Sequence, residues 1–283
     1  MEVARTRAEL AAALHRLREG GRTVALVPTM GSLHEGHLSL VDRAVALSDQ
    51  VVVSVFVNPL QFGPSEDLAA YPRDEARDLA LLRGRGASLV FAPSADDVYP
   101  GGEPVVTVSP GALERRLCGA FRPGHFRGVL TVVAKLFGLV RPDVSVFGRK
   151  DFQQAVLIRR MAADLELGVR VETGPIVREP DGLAMSSRNV YLRPEERRQA
   201  LGLQAGLLAA VRRWEGGDTR CQRLVEELRR AVAARPLLAL QYAEAVDPVT
   251  LEGRDEAVPG TVLAVAAFCG STRLIDNVEL GRP

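Results

Sequence analysis

The amino-acid sequence predicts an α/β fold, namely a doubly wound parallel sheet followed by a second, smaller α+β domain. Apolar runs with the length of strands alternate with helical periodicity between residues 23 and 173, which is typical of βαβ units. After Pro175 the pattern changes to a polar stretch, two helical segments and three strand-like runs. We therefore predict domains at residues 1–175 and 176–283.

The first domain is predicted to begin with a helix. Thr6 and Glu9 have capping-box spacing ahead of a helical run at 10–17, and the Gly20-Gly21 pair is expected to end it. The run 51–57 is apolar apart from Ser54, as in a strand that is buried on both faces. The predicted strands are 23–27, 51–57, 88–92, 144–147 and 169–173, and the further helices are 38–47, 74–83, 127–139 and 152–165.

The second domain is expected to pair two helices with a small sheet. The periodicity predicts helices at 195–214 and 218–234, and strands at 240–246, 262–267 and 274–278.

Composition excludes several classes of protein. A hydrophobic content of 47% argues against disorder, and a net charge of +1 gives no support for a nucleic-acid or acidic-membrane partner. The three scattered cysteines indicate a reducing compartment and offer no Cys-x-x-Cys pair for zinc. Neither a signal-peptide core nor an apolar run of ~18 residues occurs, so we expect a cytoplasmic protein without a membrane span.

The segment from Thr29 to His37 joins a predicted strand to a predicted helix through a glycine-containing turn. His34 and His37 are three residues apart and therefore share one face at the helix start. Unpaired N–H groups at such an N-terminus attract anions, so this turn predicts contact with a nucleotide phosphate. A metal pair would need a third ligand, which the sequence does not identify. Two ordinary surface histidines are the remaining alternative.

Two further segments follow predicted strands. Asn58 and Gln61 carry neutral amides that suit a substrate with hydroxyl and carboxylate groups, although Asn-Pro is equally a common turn. Lys150 can place a point charge on a phosphate, but most lysines are simply solvated. Gln153 and Gln154 cannot face the same way on a helix, so we expect at most one of them to contact substrate.

A third segment, Met185 to Asn189, lies between the predicted domains. Its two hydroxyls and its guanidinium suit a triphosphate and a loop that closes, although a serine-rich linker is the simpler interpretation. The segment from Arg122 to Gly128 either adds positive charge near the site or starts a helix.

The acidic residues Asp74, Glu75 and Asp78 are expected to form a solvated helix face. A Mg²⁺ ligand at Asp78 is the alternative.

Residues 29–37, 58–62 and 148–151 all follow predicted strands. Ligands of doubly wound sheets bind beyond the carboxyl ends of the strands, so these segments are predicted to form one site.

Together these segments resemble the pantoate–β-alanine ligase family over nearly the whole chain. The resemblance is carried by Pro28-Thr29-Met30-Gly31 with the His-x-Gly-His signature at 34–37, by Phe56-Val57-Asn58-Pro59-Leu60-Gln61-Phe62, by residues 148–154 and by residues 181–189. It implies a Rossmann-like nucleotide-binding catalytic domain and a C-terminal lid. It also implies that ATP, carrying Mg²⁺, adenylates the carboxylate of (R)-pantoate, and that β-alanine then attacks the pantoyl adenylate to give pantothenate and AMP.

The resemblance also implies residue roles and an assembly. His37 is the expected proton donor and transition-state contact, and Lys150 is expected to act on the phosphates. Val177 would touch the nucleotide through its backbone. Arg149 stands where the family often has Glu, so a backbone contact is the role it can keep. The implied catalytic residues are His34, His37, Lys150, Ser186, Ser187 and Arg188. The implied ATP-binding residues are Met30, Gly31, Ser32, Leu33, His34, Glu35, Gly36, His37, Gly148, Arg149, Lys150, Asp151, Val177, Met185, Ser186, Ser187 and Arg188. The implied substrate-binding residues are Asn58, Gln61 and Gln154. The family is generally a homodimer that uses neither nucleic acid nor a membrane.

Two rival functions remain at this point. A nucleotidyl transferase acting on a phosphorylated alcohol would share the histidines, but the neutral amides favour a small hydroxy acid. A non-catalytic nucleotide- or RNA-binding module would require a basic face and aromatic platforms, which a +1 charge and 5% aromatic content do not favour.

Overall fold

The computed structural model describes residues 1–64 and 66–281. Its fold divides into two units, each of which draws on more than one stretch of the chain. The first consists of Met1–Gly111, Arg122–Arg149 and Leu157–Pro175, and the second of Ala112–Phe121, Lys150–Val156 and Ile176–Pro283. The second unit thus includes two short segments from within the predicted first domain. The predicted domain boundary after residue 175 stays a prediction.

The first unit contains a sheet of six parallel strands; the parallel arrangement is the one that the sequence predicts, and β1 is an additional strand. The strand order is β1-β4-β3-β2-β5-β6, and each pairing is parallel. The strands are β1 Glu2–Ala4, β2 Val24–Thr29, β3 Gln50–Val55, β4 Leu89–Phe91, β5 Val144–Gly148 and β6 Arg170–Gly174. Strands β3 and β4 lie on one side of β2, and β5 and β6 lie on the other side. The order in which successive strands join the sheet therefore reverses at β2. Such a switch point is where ligands bind in open α/β sheets.

The central strands are apolar because both of their faces are covered. Val51, Val52 and Val53 of β3 are at most 1% exposed, which matches the prediction of a strand buried on both faces. The neighbouring strand β2 pairs with β3 in register from Val24 opposite Gln50 to Thr29 opposite Val55.

The helices follow the predicted order with shifted ends. The Thr6–Glu9 capping box is confirmed at the start of the first helix. Helix α2 begins three residues before the predicted position, so that His34 becomes its N-cap residue. The helices are α1 Arg7–Leu17, α2 Glu35–Val45, α3 Glu75–Arg83, α4 Ala95–Val98, α5 Leu117–Phe121, α6 His125–Val140, α7 Phe152–Asp164, α8 Pro194–Ala200, α9 Gly202–Glu215 and α10 Cys221–Ala233.

The second unit contains an antiparallel sheet of three strands, β7 Leu238–Val246, β8 Val262–Cys269 and β9 Thr272–Glu279. A buried apolar cluster joins residues of this sheet to α9 and α10, and it includes Leu207, Leu228 and Leu263. The predicted α+β architecture is therefore present.

Two local features differ from the sequence prediction. The single helix predicted at 195–214 is two helices, α8 and α9. Helix α9 begins at Gly202, where an added Cβ would lie 2.7 Å from Arg235 Cγ. Strand β1 and the short helices α4 and α5 were not predicted, because three to five residues carry too little periodicity. No helix in the described part of the chain is both long and apolar enough to cross a membrane.

Candidate active site

The carboxyl ends of β2, β3 and β5 lie side by side in the first unit, because β2 pairs in parallel with both neighbours. The predicted segments 29–37, 58–62 and 148–151 lie at these ends, with Thr29 and Gly148 as the last residues of β2 and β5. The three segments therefore start at one edge of the sheet, and the prediction that they form one site stays a prediction.

The two histidines lie at the start of α2. His34 is the N-cap residue in an extended conformation, and His37 is in the first helical turn. Their rings are stacked with centroids 4.0 Å apart, and both residues are half-buried. The helix N-terminus places partial positive charge beside them. This arrangement can present two ring edges and main-chain N–H groups to a phosphate.

The turn before α2 has an unusual backbone that a buried carboxylate holds. Gly31 and Ser32 have φ values of 80° and 51°, which lie in the left-handed region. The Ser32 and Leu33 N–H groups each donate to Asp78 at 2.8 Å, one to each carboxylate oxygen. A Cβ added at Gly31 would lie 3.0 Å from Asp78 Oδ2. Asp78 therefore fixes the shape of the predicted nucleotide-binding turn.

The expectation of a solvated helix face is wrong for Asp78, which is 1% exposed. Burial raises the pKa of Asp78, and the two N–H donors oppose that rise. Both carboxylate oxygens are already occupied by main-chain donors, which does not suit the alternative role as a Mg²⁺ ligand. Asp74 is instead the N-cap of α3, and the exposed Glu75 pairs with Arg5.

Asn58 is a buried residue that supports Gln61. Its side chain is 1% exposed and accepts hydrogen bonds from Tyr99 Oη at 2.8 Å and from the Leu60 N–H at 3.3 Å. Its amide nitrogen lies 3.1 Å from Gln61 Oε1 and 3.2 Å from the Gly128 carbonyl. The turn interpretation of the Asn-Pro sequence is thus realised, and the same side chain orients Gln61.

Gln61 is half-buried at the end of the 3₁₀ turn Pro59–Gln61. Its amide oxygen accepts from Asn58, and its Nε2 lies 3.1 Å from Met30 Sδ. Gln61 is therefore held on both sides by residues that follow two adjacent strands.

The segment from Arg122 to Gly128 starts a helix, since α6 begins at His125 after a left-handed Gly124. Arg122 forms a two-pronged ion pair with Glu66 at 2.7 and 2.6 Å. Burial alone would raise the pKa of Glu66, but Arg122 lowers it overall. The positive charge of Arg122 is therefore matched locally. At Gly128 an added Cβ would lie 2.2 Å from the Leu60 carbonyl oxygen, so α6 packs directly on the turn that carries Gln61.

Lys150 lies in the second unit, in the 3₁₀ turn Arg149–Asp151 that precedes α7. Burial of its ammonium group lowers the Lys150 pKa, and Arg188 lowers it further. Asp151 and Asp276 act in the opposite direction. The main-chain carbonyl of Lys150 accepts a hydrogen bond from Asn277 Nδ2 at 3.0 Å. Lys150 is therefore a partly desolvated cation with a fixed backbone.

The two glutamines after Lys150 have different environments. Gln153 is 3% exposed and bonds to the main chain of Gly119, Leu113 and Arg116. It therefore holds the 112–121 segment in place. Gln154 is half-buried, which leaves it as the glutamine that can reach a ligand.

The predicted phosphate loop follows a short hairpin in the second unit. The Met185 N–H donates to the Val177 carbonyl at 3.0 Å. Arg178 and Ala184 pair through an isolated antiparallel β-bridge. Ser186 caps the 3₁₀ helix Ser187–Tyr191 by accepting from the Arg188 N–H at 3.2 Å. The loop from Ser186 to Arg188 is therefore an ordered turn and not an extended linker.

The sequence did not indicate that four residues hold these segments in place, namely Asp78, Tyr99, Asp276 and Asn277. A signal existed for the last two, because an adjacent Asp-Asn pair interrupts the apolar residues Leu274, Ile275 and Val278 of β9.

A family model described as pantoate-beta-alanine ligase matches residues 2–279. This chain belongs to the pantoate–β-alanine ligase family. A pantothenate synthetase 1 of Bradyrhizobium diazoefficiens is 53% identical over 281 residues, which cover 99% of this chain and 98% of that protein.

Solved structures of pantoate–β-alanine ligases also match. Pantothenate synthetase from Thermus thermophilus has a TM-score of 0.93 and 47% identity, with 99% of each chain covered. A pantoate–β-alanine ligase from Francisella tularensis, complexed with beta-gamma ATP and β-alanine, has a TM-score of 0.80 and 30% identity over 99% of this chain and 97% of that one. The α/β architecture of the two units agrees with these structures.

Proposed function

We infer that this chain catalyses the ATP-dependent condensation of (R)-pantoate with β-alanine to pantothenate, releasing AMP and pyrophosphate. The family match across residues 2–279 carries this conclusion. The complex of the Francisella tularensis relative supports two of the reactants.

The reaction proceeds in two steps. A pantoate carboxylate oxygen attacks the α-phosphorus of ATP, and the bond to the β-phosphate oxygen breaks as pyrophosphate leaves. The amine of β-alanine then attacks the acyl carbon of pantoyl adenylate. The carbon–oxygen bond to AMP breaks, and the amine loses a proton. Each step develops charge on phosphate oxygens, so catalysis requires positioned donors more than a protein nucleophile.

In the first unit, we propose that the turn from Met30 to His37 binds ATP. His37 stabilises charge at the α-phosphate, and His34 contacts the phosphates. The stacked rings at the N-terminus of α2 support this assignment. Gly148 and Arg149 contribute main-chain contacts to ATP, which leaves the Arg149 side chain without a required role.

In the second unit, we propose that Lys150 and Arg188 contact the phosphates as cations. Ser186 and Ser187 add hydroxyl donors, while Asp151, Val177 and Met185 line the nucleotide. Arg188 is close enough to Lys150 to lower its pKa, so these two cations suit a multiply charged anion.

We propose that Gln61 and Gln154 bind pantoate. Gln61 is fixed by Asn58 and Met30, and its amide oxygen and its Nε2 each keep the capacity for one further hydrogen bond. Asn58 itself is buried, so its proposed role is to orient Gln61 and not to touch the substrate.

Mg²⁺ is proposed to enter as part of MgATP, since Mg²⁺ usually binds through substrate phosphates with one or two carboxylates. Within residues 1–64 and 66–281, no group of three or more His, Cys, Asp or Glu side chains is placed to hold a metal ion. The further proposals are a homodimer, as the family resemblance implies, and a cytoplasmic location, which the three scattered cysteines favour.

The test is pyrophosphate release from ATP and pantoate, first without and then with β-alanine, followed by mass analysis of the products. We expect release on pantoate addition, and pantothenate with AMP once β-alanine is present. A folded, ATP-binding protein that shows no pantoate-dependent release would refute the proposal. A transferase acting on a phosphorylated alcohol would then be the leading hypothesis.

A further inference from the structure

Strand β9 carries two adjacent polar residues that are almost fully buried. Asp276 is 4% exposed and Asn277 is 3% exposed. Because successive side chains of a strand point to opposite faces, the two residues face different surroundings. Burial of a carboxylate has a large free-energy cost unless the carboxylate is paired. The partner of Asp276 therefore indicates the role of this residue.

The partner of Asp276 is Arg178. Two guanidinium nitrogens lie 2.7 and 3.0 Å from the two carboxylate oxygens of Asp276, which is the two-pronged geometry of a strong pair. Arg178 also donates to the Gly182 carbonyl at 3.2 Å. Arg178 and Gly182 belong to the hairpin that leads to Ser186. Asp276 therefore anchors this hairpin to the sheet.

The partner of Asn277 is the main chain of Lys150, whose carbonyl accepts from Asn277 Nδ2 at 3.0 Å. The main-chain N–H of Asn277 donates to Asp276 Oδ1 at 2.8 Å, so the two residues also brace each other. Two segments that are distant in sequence, the Lys150 turn and the hairpin, thus attach to neighbouring positions of one strand.

We propose that Asp276 and Asn277 are a pair of positioning residues, which hold the Lys150 backbone and the Val177–Met185 hairpin in the arrangement that binds the ATP phosphates. This role rests on the proposed function. Neither residue needs to touch a substrate, because each acts through a group that does.

The pair has an electrostatic consequence that a purely structural brace lacks. The carboxylate of Asp276 raises the pKa of Lys150 against the lowering effect of burial and of Arg188. Loss of that negative charge alone is expected to move the alkaline limit of ATP use to lower pH. Loss of Asn277 changes no charge and is expected to leave that limit in place.

The experiment compares Asp276→Asn and Asn277→Ala with the wild-type protein and a control. Asp218→Asn is the matched control, since Asp218 forms an arginine pair in the same unit with Arg213 at 2.8 Å. The readouts are kcat and KM for MgATP from pH 7 to pH 11, together with the unfolding temperature. A wild-type protein without pantoate-dependent pyrophosphate release would refute the function itself, whereas an active wild type allows the positioning role to be judged separately.

We expect both variants to raise KM for MgATP by ~10-fold to 100-fold, by analogy with the partners that orient metal ligands, whose loss typically has an effect of that size. Asp276→Asn should also shift the alkaline limit of kcat/KM to lower pH, and Asp218→Asn should match the wild type. Wild-type KM values in both folded variants would overturn the proposal. If Asp276→Asn does not fold, Asn277→Ala decides alone, and a wild-type KM for MgATP in that variant is the contradicting result.

Discussion

The carboxylate of Asp78 accepts a hydrogen bond of 2.8 Å from the main-chain N–H of Leu33, which lies 45 residues earlier in the chain. The other oxygen of Asp78 accepts from Ser32 at the same distance. A residue of helix α3 thus fixes the turn that leads into α2 and its two histidines.

Replacement of Asp78 by alanine is expected to destabilise the protein by ~1–3 kcal/mol, because buried main-chain donors lose their acceptor. The KM for MgATP should rise as well, since the turn loses its fixed shape. Urea unfolding and initial-rate kinetics measure the two effects. Glu75→Ala is the control on the same helix, where an exposed ion pair with Arg5 contributes under ~1 kcal/mol. An Asp78→Ala protein that unfolds at the wild-type urea concentration would contradict this view of the turn.

The sequence predicted the alternation of strands and helices and the capping box at Thr6, because these depend on local periodicity and short spacings. It did not predict the burial of Asp78 or of Asp276. The donors to Asp78 lie 45 and 46 residues away, and the partner of Asp276 lies 98 residues away. Such pairings depend on the left-handed turn at Ser32 and on the packing of β9, which no short sequence window contains.

The candidate site likewise combines residues that short motifs indicate with contacts between residues that are distant in sequence. Resemblance to a family placed Gln61 and Lys150 among the functional residues from short motifs. The support given by Asn58 to Gln61 became visible through its contacts with Tyr99 and Gly128, which come from distant segments.

His37→Ala is expected to lower turnover by ~10²–10³-fold, as is typical for loss of one transition-state donor. The half-buried ring contributes little to the core, so the unfolding temperature should change little. His15→Ala, an exposed histidine on α1, is the control and should keep full turnover. Single-turnover adenylation kinetics provide the measurement, and near-normal turnover in His37→Ala would remove this residue from the mechanism.

Gln61→Ala should raise KM for pantoate while stability stays close to the wild-type value, because the side chain is half-buried. Asn58→Ala should raise the same KM and also destabilise the protein, since Tyr99 Oη and the Leu60 N–H lose their acceptor. Gln222→Ala, on an exposed position of α10, is the control for a glutamine replacement. Pantoate-dependent initial rates and urea unfolding separate the two variants. Equal pantoate dependence in Gln61→Ala and the wild type would place the pantoate site elsewhere.

The pKa of Lys150 gives a pH prediction with a defined sign. Burial lowers this pKa, and the protonated ammonium is the form that binds phosphate. The kcat/KM for MgATP should therefore fall with rising pH, with a midpoint below the ordinary lysine value of ~10.4.

Lys150→Arg tests the assignment of that alkaline limit. A guanidinium stays protonated over the whole range, so the variant should lose the fall with pH even if its activity is lower. An alkaline limit that is identical in Lys150→Arg and the wild type would show that another group controls it.

The proposed reaction depends most on the pantoyl adenylate, and transfer of a carboxylate oxygen to AMP tests that intermediate directly. Pantoate labelled with ¹⁸O in its carboxylate is incubated with the protein, ATP and β-alanine, and the phosphate-containing products are analysed by mass spectrometry. We expect one ¹⁸O atom in AMP and none in pyrophosphate, because the carboxylate oxygen attacks the α-phosphorus and stays bonded to it. Unlabelled AMP, or label in pyrophosphate or inorganic phosphate, would contradict the proposed reaction.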